Sequence, residues 1–314
     1  MNGSAIVASG LRKAYQDKTV LDGIDLDVRT GTIFALLGPD GAGKTTTVNV
    51  LTTLLAPDAG KVVVAGHDVA TQTKAVRAAI GVTGQFASVD DLLTGEENLL
   101  MTADLLHLPK AQGERVAGRL LARFDLVEAA GKLAVSYSGG MRRKLDLAMT
   151  LVGDPQIIFL DEPTTGLDPR GRRTMWDIIR ELAAEGRTIF LTTRYLEEAG
   201  QLADRVAVLD QGRLVAEGSA DELKRRVPGS HVRLRFTARY ELDAAARVLH
   251  ESTRDDEELT LRVPGDGGVR SLRALIDRLD AHGLEVEELS VHTPDLDDVF
   301  LALTAHANKE AGAR

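Results

Sequence analysis

Short apolar runs of strand type recur along this chain up to about residue 225. They lie at residues 32–37, 157–160, 188–193, 206–209 and 213–215. Segments with the apolar spacing of a helix alternate with these runs, at residues 46–55, 96–107, 112–124, 142–151, 170–184 and 195–202. Strands that alternate with helices predict an α/β fold with a mostly parallel sheet.

A second pattern, strand next to strand, occurs near the N-terminus. Residues 4–8, 18–28 and 61–65 are short β-rich pieces joined by turns. Within the second piece, the apolar and polar positions of residues 20–28 alternate, which is typical of a half-buried strand. These pieces therefore predict a β-rich part beside the alternating α/β pattern.

The segment beyond residues 227–230 (Val-Pro-Gly-Ser) is predicted to form a separate unit. We expect strands at residues 231–238, 258–263 and 284–291 and helices at residues 241–250, 268–282 and 295–305. They make an α+β unit of about 85 residues, within the size of an independent domain. The predicted domains are therefore residues 1–227 and 228–314. The second domain contains no recognisable cluster of catalytic or metal-binding side chains. We interpret its scattered histidines as surface residues: His250, His282, His292 and His306.

Composition limits the classes of protein to consider. The chain has 314 residues, 44% of them hydrophobic and 27% charged, as expected of a globular protein with an ordinary core. No apolar run approaches 18 residues and residues 1–8 lack a basic segment, so neither a transmembrane helix nor a signal peptide is expected. The absence of cysteine excludes disulfides and thiol catalysis and fits a cytoplasmic protein. The net charge of −9, most of it beyond residue 227, argues against a nucleic-acid partner.

One segment matches G-x-x-x-x-G-K-[ST], the pattern of a phosphate-binding loop. It consists of Gly38, Pro39, Asp40, Gly41, Ala42, Gly43, Lys44, Thr45 and Thr46. A predicted strand precedes it and a predicted helix follows it, as the motif requires. Glycines let backbone N–H groups close on a phosphate, and the helix N-terminus adds its positive end. Lys44 can reach the β- and γ-phosphates and Thr45 offers a hard oxygen to Mg²⁺, so we expect a nucleoside triphosphate site rather than a glycine-rich turn with a chance lysine.

Two carboxylates follow the predicted strand at residues 157–160. If this strand lies beside the phosphate loop, Asp161 comes near Mg²⁺ and Glu162 can polarise an attacking water as a general base. The alternative is a strand that ends in a solvated acidic turn. The phosphate loop upstream favours the functional interpretation.

A second glycine-rich loop contains Ser138, Gly139 and Gly140 and opens the predicted helix at residues 142–151. Such a helix start suits an anion, although Ser138 is also an ordinary helix N-cap. One chain does not need two phosphate clamps for one nucleotide. The two loops make sense together if two chains meet head to tail.

Up to about residue 225, the chain resembles the ATP-binding subunit of ATP-binding cassette (ABC) transporters. The motifs follow in the family's order: the Walker A loop 38–45, Gln85, the signature from Ser138 to Met141, Walker B at 157–161, Glu162, and the D-loop 166–169. The resemblance implies a P-loop ABC ATPase domain with a mostly parallel core sheet, an antiparallel β subdomain and a helical subdomain at about residues 86–150. The small C-terminal α+β domain would follow it.

The resemblance also implies roles for single residues. Gln85 would bind Mg²⁺ or the attacking water and sense the membrane partner, unless it is a plain strand-end amide. Ser138 and Gly140 would contact the γ-phosphate held by the opposite subunit, and Asp168 would cross the dimer interface. Tyr15 matches the aromatic residue that stacks on adenine, unless it is an ordinary loop tyrosine. ATP would thus be buried between two cassettes, either two copies of this chain or this chain and a related one.

Two positions depart from the family's pattern. Most members carry a histidine after the strand at residues 188–193, where this chain has Arg194, which is permanently charged and only donates hydrogen bonds. Arg194 could grip the γ-phosphate but could not pass a proton, so we expect ATP binding with slow turnover; alternatively, the side chain points elsewhere. Asp40 replaces a common asparagine. We expect it to be tolerated at the loop rim, where it faces solvent or pairs with a cation; the alternative is weaker nucleotide binding or a tuned signature contact.

Residues 137–143 and 296–304 resemble, more narrowly, the drug-export branch that includes daunorubicin-resistance ATPases. This implies an ATPase, with ATP and Mg²⁺ as cofactors, that powers a separate integral membrane permease and exports drugs or amphiphilic compounds. It would lie in the cytoplasm at the inner face of the membrane, where residues 86–135 would accept a short permease helix in a groove. The alternatives are a nucleotide-gated cassette with little hydrolysis, suggested by Arg194, and a soluble cassette ATPase that acts on nucleic acid. The C-terminal domain could brace the dimer or regulate it.

Overall fold

The computed structural model describes residues 3–85, 88–226, 231–265 and 268–292. Contacts divide the chain into two compact units, Met1–Ala220 and Asp221–Arg314. Three sequence-based expectations lie outside the described residues: the helix at residues 295–305, the motif at residues 296–304 and the position of His306.

The elements alternate as the apolar pattern predicted. In chain order, those of the first unit are β1 (Ser4–Tyr15), β2 (Lys18–Arg29), β3 (Ile33–Leu37), α1 (Lys44–Leu51), β4 (Ala59–Val64), β5 (His67–Asp68), α2 (Thr73–Ala79), β6 (Ile80–Thr83), α3 (Gly95–Leu105), α4 (Lys110–Arg123), α5 (Gly139–Thr150), β7 (Ile157–Asp161), α6 (Pro169–Ala184), β8 (Thr188–Thr193), α7 (Leu196–Leu202), β9 (Arg205–Asp210) and β10 (Arg213–Gly218). The division between the units falls in α8 (Ala220–Arg226). The second unit continues with β11 (His231–Arg235), α9 (Arg239–Val248), β12 (Thr253–Asp255), β13 (Thr260–Pro264), α10 (Val269–Asp280) and β14 (Glu288–His292).

A six-stranded sheet forms the core of the first unit, in the order β10-β9-β3-β8-β7-β6. All neighbouring pairs are parallel except β9 and β10, which confirms the predicted mostly parallel sheet. Every residue of β3, β7 and β8 is buried, and Phe34, Phe159 and Phe190 pack together with ring centroids 5.5 Å apart from one strand to the next. Because these strands are parallel neighbours, their carboxyl ends meet at one edge of the sheet. The loops that follow them are therefore brought together.

A four-stranded antiparallel sheet, in the order β2-β1-β4-β5, makes up the β-rich part near the N-terminus. The prediction that its first strand stops at residue 8 was wrong, because β1 continues to Tyr15. The register of the β1–β2 ladder shifts between Ala8 and Leu11, and Gly10 has a φ of +60°. The glycine therefore marks a bulge within a strand rather than its end. Tyr15 consequently ends a strand instead of lying within a loop.

Several helix boundaries also differ from the prediction. Helix α1 ends at Leu51 rather than at residue 55, because the Thr52 hydroxyl bonds back to the carbonyl of Val48 and Thr53 has a φ of +64°. Helix α5 begins at Gly139 rather than at residue 142, since Ser138 caps it. Helix α2, the short strand β5 and the edge strand β6 were not predicted. None of the helices in the described residues is long and apolar enough to cross a membrane.

The second unit has one antiparallel sheet, in the order β12-β13-β11-β14, with helices α9 and α10, as the predicted α+β pattern requires. Its core combines the inward side chains of β11, β13, α9 and α10, among them Leu234, Leu242, Leu261 and Leu279. Strand β12 was not predicted. His231 and His292 face each other across β11 and β14 with ring centroids 4.8 Å apart, but no group of three or more His, Asp or Glu side chains in the described part of the chain could hold a metal ion.

Candidate nucleotide site

The phosphate loop follows β3, and its glycines meet steric needs that other residues could not. Gly43 has a φ of +111°, and a Cβ atom there would lie 2.7 Å from Leu21 Cδ2. A Cβ atom on Gly38 would lie 2.3 Å from the carbonyl oxygen of Leu209. Strands β2 and β9 thus press directly on the backbone of the loop. A side chain on Gly38 would require β9 to move, and one on Gly43 would be strained by its φ and would displace the Leu21 side chain.

Lys44, the first residue of α1, is buried inside this loop. Its Nζ donates hydrogen bonds to the carbonyl oxygens of Gly38 at 2.8 Å and Pro39 at 3.0 Å. The same nitrogen lies 3.4 Å from Glu162 Oε1, although Glu162 follows the separate strand β7. The structure therefore brings together the predicted phosphate-binding cation and the predicted general base.

Asp161 ends β7 between two hydroxyl groups. The Thr45 hydroxyl donates to Asp161 Oδ2 at 2.9 Å, and the Thr192 hydroxyl donates to Asp161 Oδ1. Thr45 comes from α1 and Thr192 from β8, so three elements converge on one carboxylate. The cluster offers hydroxyl and carboxylate oxygens, the ligands that Mg²⁺ prefers.

Glu162 has a left-handed backbone, with a φ of +48°. Its N–H donates to both the carbonyl and the hydroxyl oxygen of Thr192, each at 3.1 Å, and its Oε2 accepts from the Thr165 hydroxyl at 3.1 Å. A non-glycine residue with positive φ is strained, and such strain is common at functional positions. The hydrogen bonds to β8 hold this backbone in place and turn the carboxylate towards Lys44.

Arg143 of α5 is a buried cation that sequence reasoning did not single out. Its guanidinium donates to the carbonyl oxygens of Gly84, Asp161, Glu162 and Pro163 at 2.8–3.3 Å. It therefore ties the helix of the second glycine-rich loop to the end of β7. Burial lowers the pKa of Arg143 below its usual range, an effect that nearby carboxylates partly offset.

Asp146, one turn further along α5, pairs with this guanidinium. Its Oδ2 lies 3.2 Å from Arg143 Nη1, and its Oδ1 accepts from the backbone N–H of Ser88 at 3.0 Å. Burial raises the pKa of Asp146, and the bonds to Ser88 and Arg143 oppose that rise. Through Gly84 and Ser88, the pair anchors the chain on both sides of Gln85. The signal in the sequence was a pair of opposite charges three residues apart on one helix.

Arg194 and Asp40, the two residues that depart from the family pattern, contact each other. Arg194 Nη1 donates to Asp40 Oδ2 at 3.2 Å, and both side chains are exposed. Arg194 Nη2 also lies 3.1 Å from the Tyr195 hydroxyl, and the hydrogen bond with Tyr195 and the charge of Asp40 raise the pKa of Arg194. The expectation that Asp40 lies at the rim, facing solvent and paired with a cation, matches this position. Tyr195 was missed because it carries no motif.

The second glycine-rich loop is open to solvent. Ser138 is the N-cap of α5 and accepts from the Met141 N–H at 3.2 Å. A Cβ atom on Gly139 would meet nothing within 4 Å in the described part of the chain. Asp168 caps α6 in the same way, accepting from the Gly171 N–H at 2.7 Å. One cleft joins these residues, and no phosphate-loop residue lines it. The structure thus brings Ser138, Gly139, Gly140 and Asp168 together. They lie apart from the cluster formed by Lys44, Thr45, Asp161 and Glu162.

The positions of Tyr15 and Gln85 do not test the roles predicted for them. Tyr15 is half exposed at the end of β1, with Lys13 Nζ 6.0 Å from the centre of its ring. Gln85 is exposed just beyond β6. Within the described residues, no hydrogen bond or ion pair joins either side chain to Lys44, Thr45, Asp161 or Glu162.

Glu198 is a buried carboxylate that sequence reasoning missed. Its Oε1 accepts from the Thr164 hydroxyl at 2.8 Å and from Trp176 Nε1 at 3.0 Å. Burial raises its pKa, and the hydrogen bonds and the charge of Arg172 oppose that rise. Glu198 thereby connects α7 to the segment after Glu162 and to α6.

Comparison with known proteins agrees with the geometry. Residues 21–165 match the family model described as ABC transporter, and residues 218–304 match the one described as ATP-binding protein DrrA1-3-like, C-terminal domain. A solved structure described as the ATP binding subunit of an ABC transporter superposes with a TM-score of 0.64 and 28% identity, covering 71% of this chain and 93% of that one. The protein belongs to the family of ABC transporter ATP-binding subunits, and it is an ATPase of the P-loop ABC fold.

Its relatives specify the branch. Daunorubicin resistance ATP-binding protein DrrA3 of Streptomyces coeruleorubidus is 47% identical over 306 residues, 97% of both chains. Doxorubicin resistance ATP-binding protein DrrA of Mycobacterium tuberculosis strain H37Rv is 43% identical over 311 residues, covering 96% of this chain and 93% of the relative. The resemblance to the drug-export branch is confirmed, and these relatives do not favour an ATPase that acts on nucleic acid. The roles of individual residues stay predictions.

Proposed function

We propose that this chain hydrolyses ATP to power a separate membrane permease that exports drugs or other amphiphilic compounds. The observation that carries the proposal is the convergence of Lys44, Thr45, Asp161 and Glu162 at the edge where β3, β7 and β8 end. A phosphate-binding cation, two oxygen donors and a carboxylate base are the parts that phosphoryl transfer to water requires. The names of the relatives support the substrate class.

Thr45 and Asp161 fit Mg²⁺, because their hydroxyl and carboxylate oxygens lie 2.9 Å apart beside the phosphate loop. Gln85 is the further ligand that we propose. When bound, Mg²⁺ neutralises charge on the phosphate oxygens. Lys44 binds the β- and γ-phosphates, Glu162 orients and deprotonates water, and Arg194 contacts the γ-phosphate. Tyr15 stacks on adenine.

The second half of the site comes from a partner cassette, either a second copy or a related chain. Ser138 and Asp168 cap helices whose N-termini open into one exposed cleft. A helix N-terminus with exposed glycines suits an anion, and the cleft contains no phosphate-loop residue of its own chain. We therefore place the γ-phosphate of the partner's ATP at this cleft, with Gly140 beside it.

Residues 86–135, within the helical subdomain at about residues 86–150, supply the contact with the permease. Leu92 is 82% exposed and Leu105 is 72% exposed, and α3 borders a groove that includes Leu100 and Met101. Exposed apolar grooves of this kind accept amphipathic helices. The chain would thus lie at the cytoplasmic face of the membrane. Its cassette domain would comprise residues 1–227, and its C-terminal domain would comprise residues 228–314.

A nucleotide-gated cassette with little turnover is the second candidate function. Arg194 favours it, because a guanidinium cannot accept the proton that a histidine could take.

Steady-state ATP hydrolysis by the purified chain, beside Glu162→Gln and Arg194→His, separates the two candidates. We expect slow turnover in the wild type, a loss of about 100-fold or more in Glu162→Gln, since the base is removed, and faster turnover in Arg194→His. Glu162→Gln should still bind ATP. Turnover found only in Arg194→His would establish the gated cassette, and a wild type as fast as Arg194→His would contradict the role of Arg194.

A further inference from the structure

The contact between Asp40 and Arg194 belongs to a larger charge cluster. Asp40 Oδ2 is 3.2 Å from Arg194 Nη1, while Asp40 Oδ1 is 3.9 Å from Lys44 Nζ. Lys44 Nζ is in turn 3.4 Å from Glu162 Oε1. Two cations and two carboxylates therefore alternate around the position where the motif places the terminal phosphate.

The guanidinium of Arg194 is held near this position by an aromatic ring. It donates towards the Tyr195 hydroxyl at 3.1 Å and lies 5.1 Å from the centre of the Tyr195 ring. Arg172 of α6 lies at the same distance from that ring. Cations within about 6 Å of an aromatic ring are attracted to it, so the Tyr195 ring favours this position of Arg194 independently of Asp40.

The pair is weakly held, which makes a change of partner possible. The Arg194 side chain is 41% exposed and that of Asp40 is 71% exposed. Exposed ion pairs change an equilibrium constant by a factor of only about two to five. A terminal phosphate carries more charge and more acceptor oxygens than a carboxylate, so it competes well for a guanidinium.

We propose that Asp40 and Arg194 form an exchangeable ion pair that sets the preference of the site for nucleoside triphosphates over diphosphates. The terminal phosphate takes Arg194 from Asp40, and Asp40 takes it back when that phosphate leaves. Arg194 thus raises the preference and Asp40 limits it. A diphosphate does not reach the pair and leaves it intact. The inference rests on the proposed nucleotide site.

Calorimetric titration of the full chain tests this exchange. The ligands are ADP and a non-hydrolysable imido analogue of ATP, each with Mg²⁺, and the variants are Asp40→Asn, Arg194→Gln and the double substitution. The quantity compared is the ratio of the two dissociation constants. We expect Asp40→Asn to raise the preference for the triphosphate about two- to five-fold, because no carboxylate competes for Arg194. Arg194→Gln should lower it about tenfold.

The double variant decides whether the two residues act together. Without Arg194 there is no cation to exchange, so Asp40→Asn in the Arg194→Gln background should leave the preference unchanged. An equal change of preference in both backgrounds would overturn the proposal, as would an Asp40→Asn variant that binds both nucleotides more tightly by the same factor. That second result would mean that Asp40 only repels the phosphates that both nucleotides share.

A matched control comes from a similar ion pair elsewhere on the surface. Arg180 and Asp177 lie 2.9 Å apart and are 42% and 68% exposed. Asp177→Asn should leave the nucleotide preference unchanged, and a shift there would count against the proposal. A wild-type chain that binds neither ligand would overturn the proposed function itself, and this inference with it.

Discussion

The two glycine-rich loops of the cassette, residues 38–45 and residues 138–140, differ in what surrounds them. In the first, the neighbouring strands leave no room for a side chain on Gly38 or Gly43. In the second, a Cβ atom on Gly139 would meet nothing within 4 Å among the residues that the structure describes. Packing within the molecule explains Gly38 and Gly43 of the first loop, whereas Gly41 is explained by its φ of +81°. Neither reason explains the glycines of the second loop, which points to something outside the chain that must approach them.

The same contrast appears in the charges. Lys44 is buried and already satisfied by carbonyl oxygens and Glu162. Ser138 and Asp168 only cap their own helices and line an exposed cleft. This contrast supports the proposal that the first loop holds a phosphate by itself and that the second completes a site in a partner cassette.

The largest expected effect is on stability and distinguishes the loops directly. Gly38→Ala places a carbon 2.3 Å from a backbone oxygen of β9, so strands must shift. We expect the free energy of unfolding to fall by about 3 kcal/mol. Gly139→Ala should change it by less than about 0.5 kcal/mol, since the site is open. Urea unfolding of both variants measures this, and equal stabilities would show that the packing difference has no energetic consequence.

The next effect is on turnover and tests which loops act together. Lys44→Ala and Gly139→Ala should each remove hydrolysis, because every site of a head-to-tail homodimer then lacks one half. In a mixture of the two variants, half of the random dimers are mixed and each keeps one intact site, so we expect about a quarter of the wild-type turnover.

The unmixed variants, assayed at the same total concentration, are the control for that experiment. If mixing restores nothing although the chains exchange partners, the two loops act within one chain and the head-to-tail arrangement is wrong.

The smallest effect concerns Glu198, which connects α7 to the segment after Glu162 through Thr164 and to α6 through Trp176. Its pKa in the folded chain is raised above the ordinary value of 4.5, so the stability it contributes is present below that pH and is lost as pH rises through the folded pKa. Glu198→Gln keeps an acceptor oxygen but does not titrate. Relative to the wild type it should gain stability as pH rises from 4.5, with a slope of at most about 1.4 kcal/mol per pH unit.

Urea unfolding at several pH values between 5 and 8 measures that difference. The neighbouring Glu197, whose side chain is exposed, supplies the control: Glu197→Gln should follow the wild type. Parallel curves for Glu198→Gln and the wild type would mean that the buried carboxylate has no raised pKa.

Local patterns were enough to predict five of the six strands of the core sheet and both glycine-rich loops. The apolar runs became β3, β7, β8 and β9 because fully buried parallel strands need nothing but apolar residues. Gly10 misled the prediction, since a bulge and a turn use the same residue. A pattern along the chain cannot distinguish them.

The contacts that complete the site were beyond sequence reasoning because they join distant positions. Asp40 and Arg194 are 154 residues apart. Arg143 donates to backbone carbonyl oxygens, which every residue carries, so the sequence does not mark its acceptors. The sequence showed each residue separately: Asp40 and Arg194 as departures from the family pattern, and Arg143 as part of the motif at residues 137–143. Only the fold shows that they are partners.

The left-handed backbone of Glu162 has a consequence for any library randomised at this position. Glycine adopts that conformation without strain, so a screen for thermal resistance alone should enrich glycine there. A screen for drug resistance in living cells should enrich glutamate instead. Two selections on one codon would thus diverge, and their divergence would report the strain that the protein retains in order to keep a carboxylate beside Lys44.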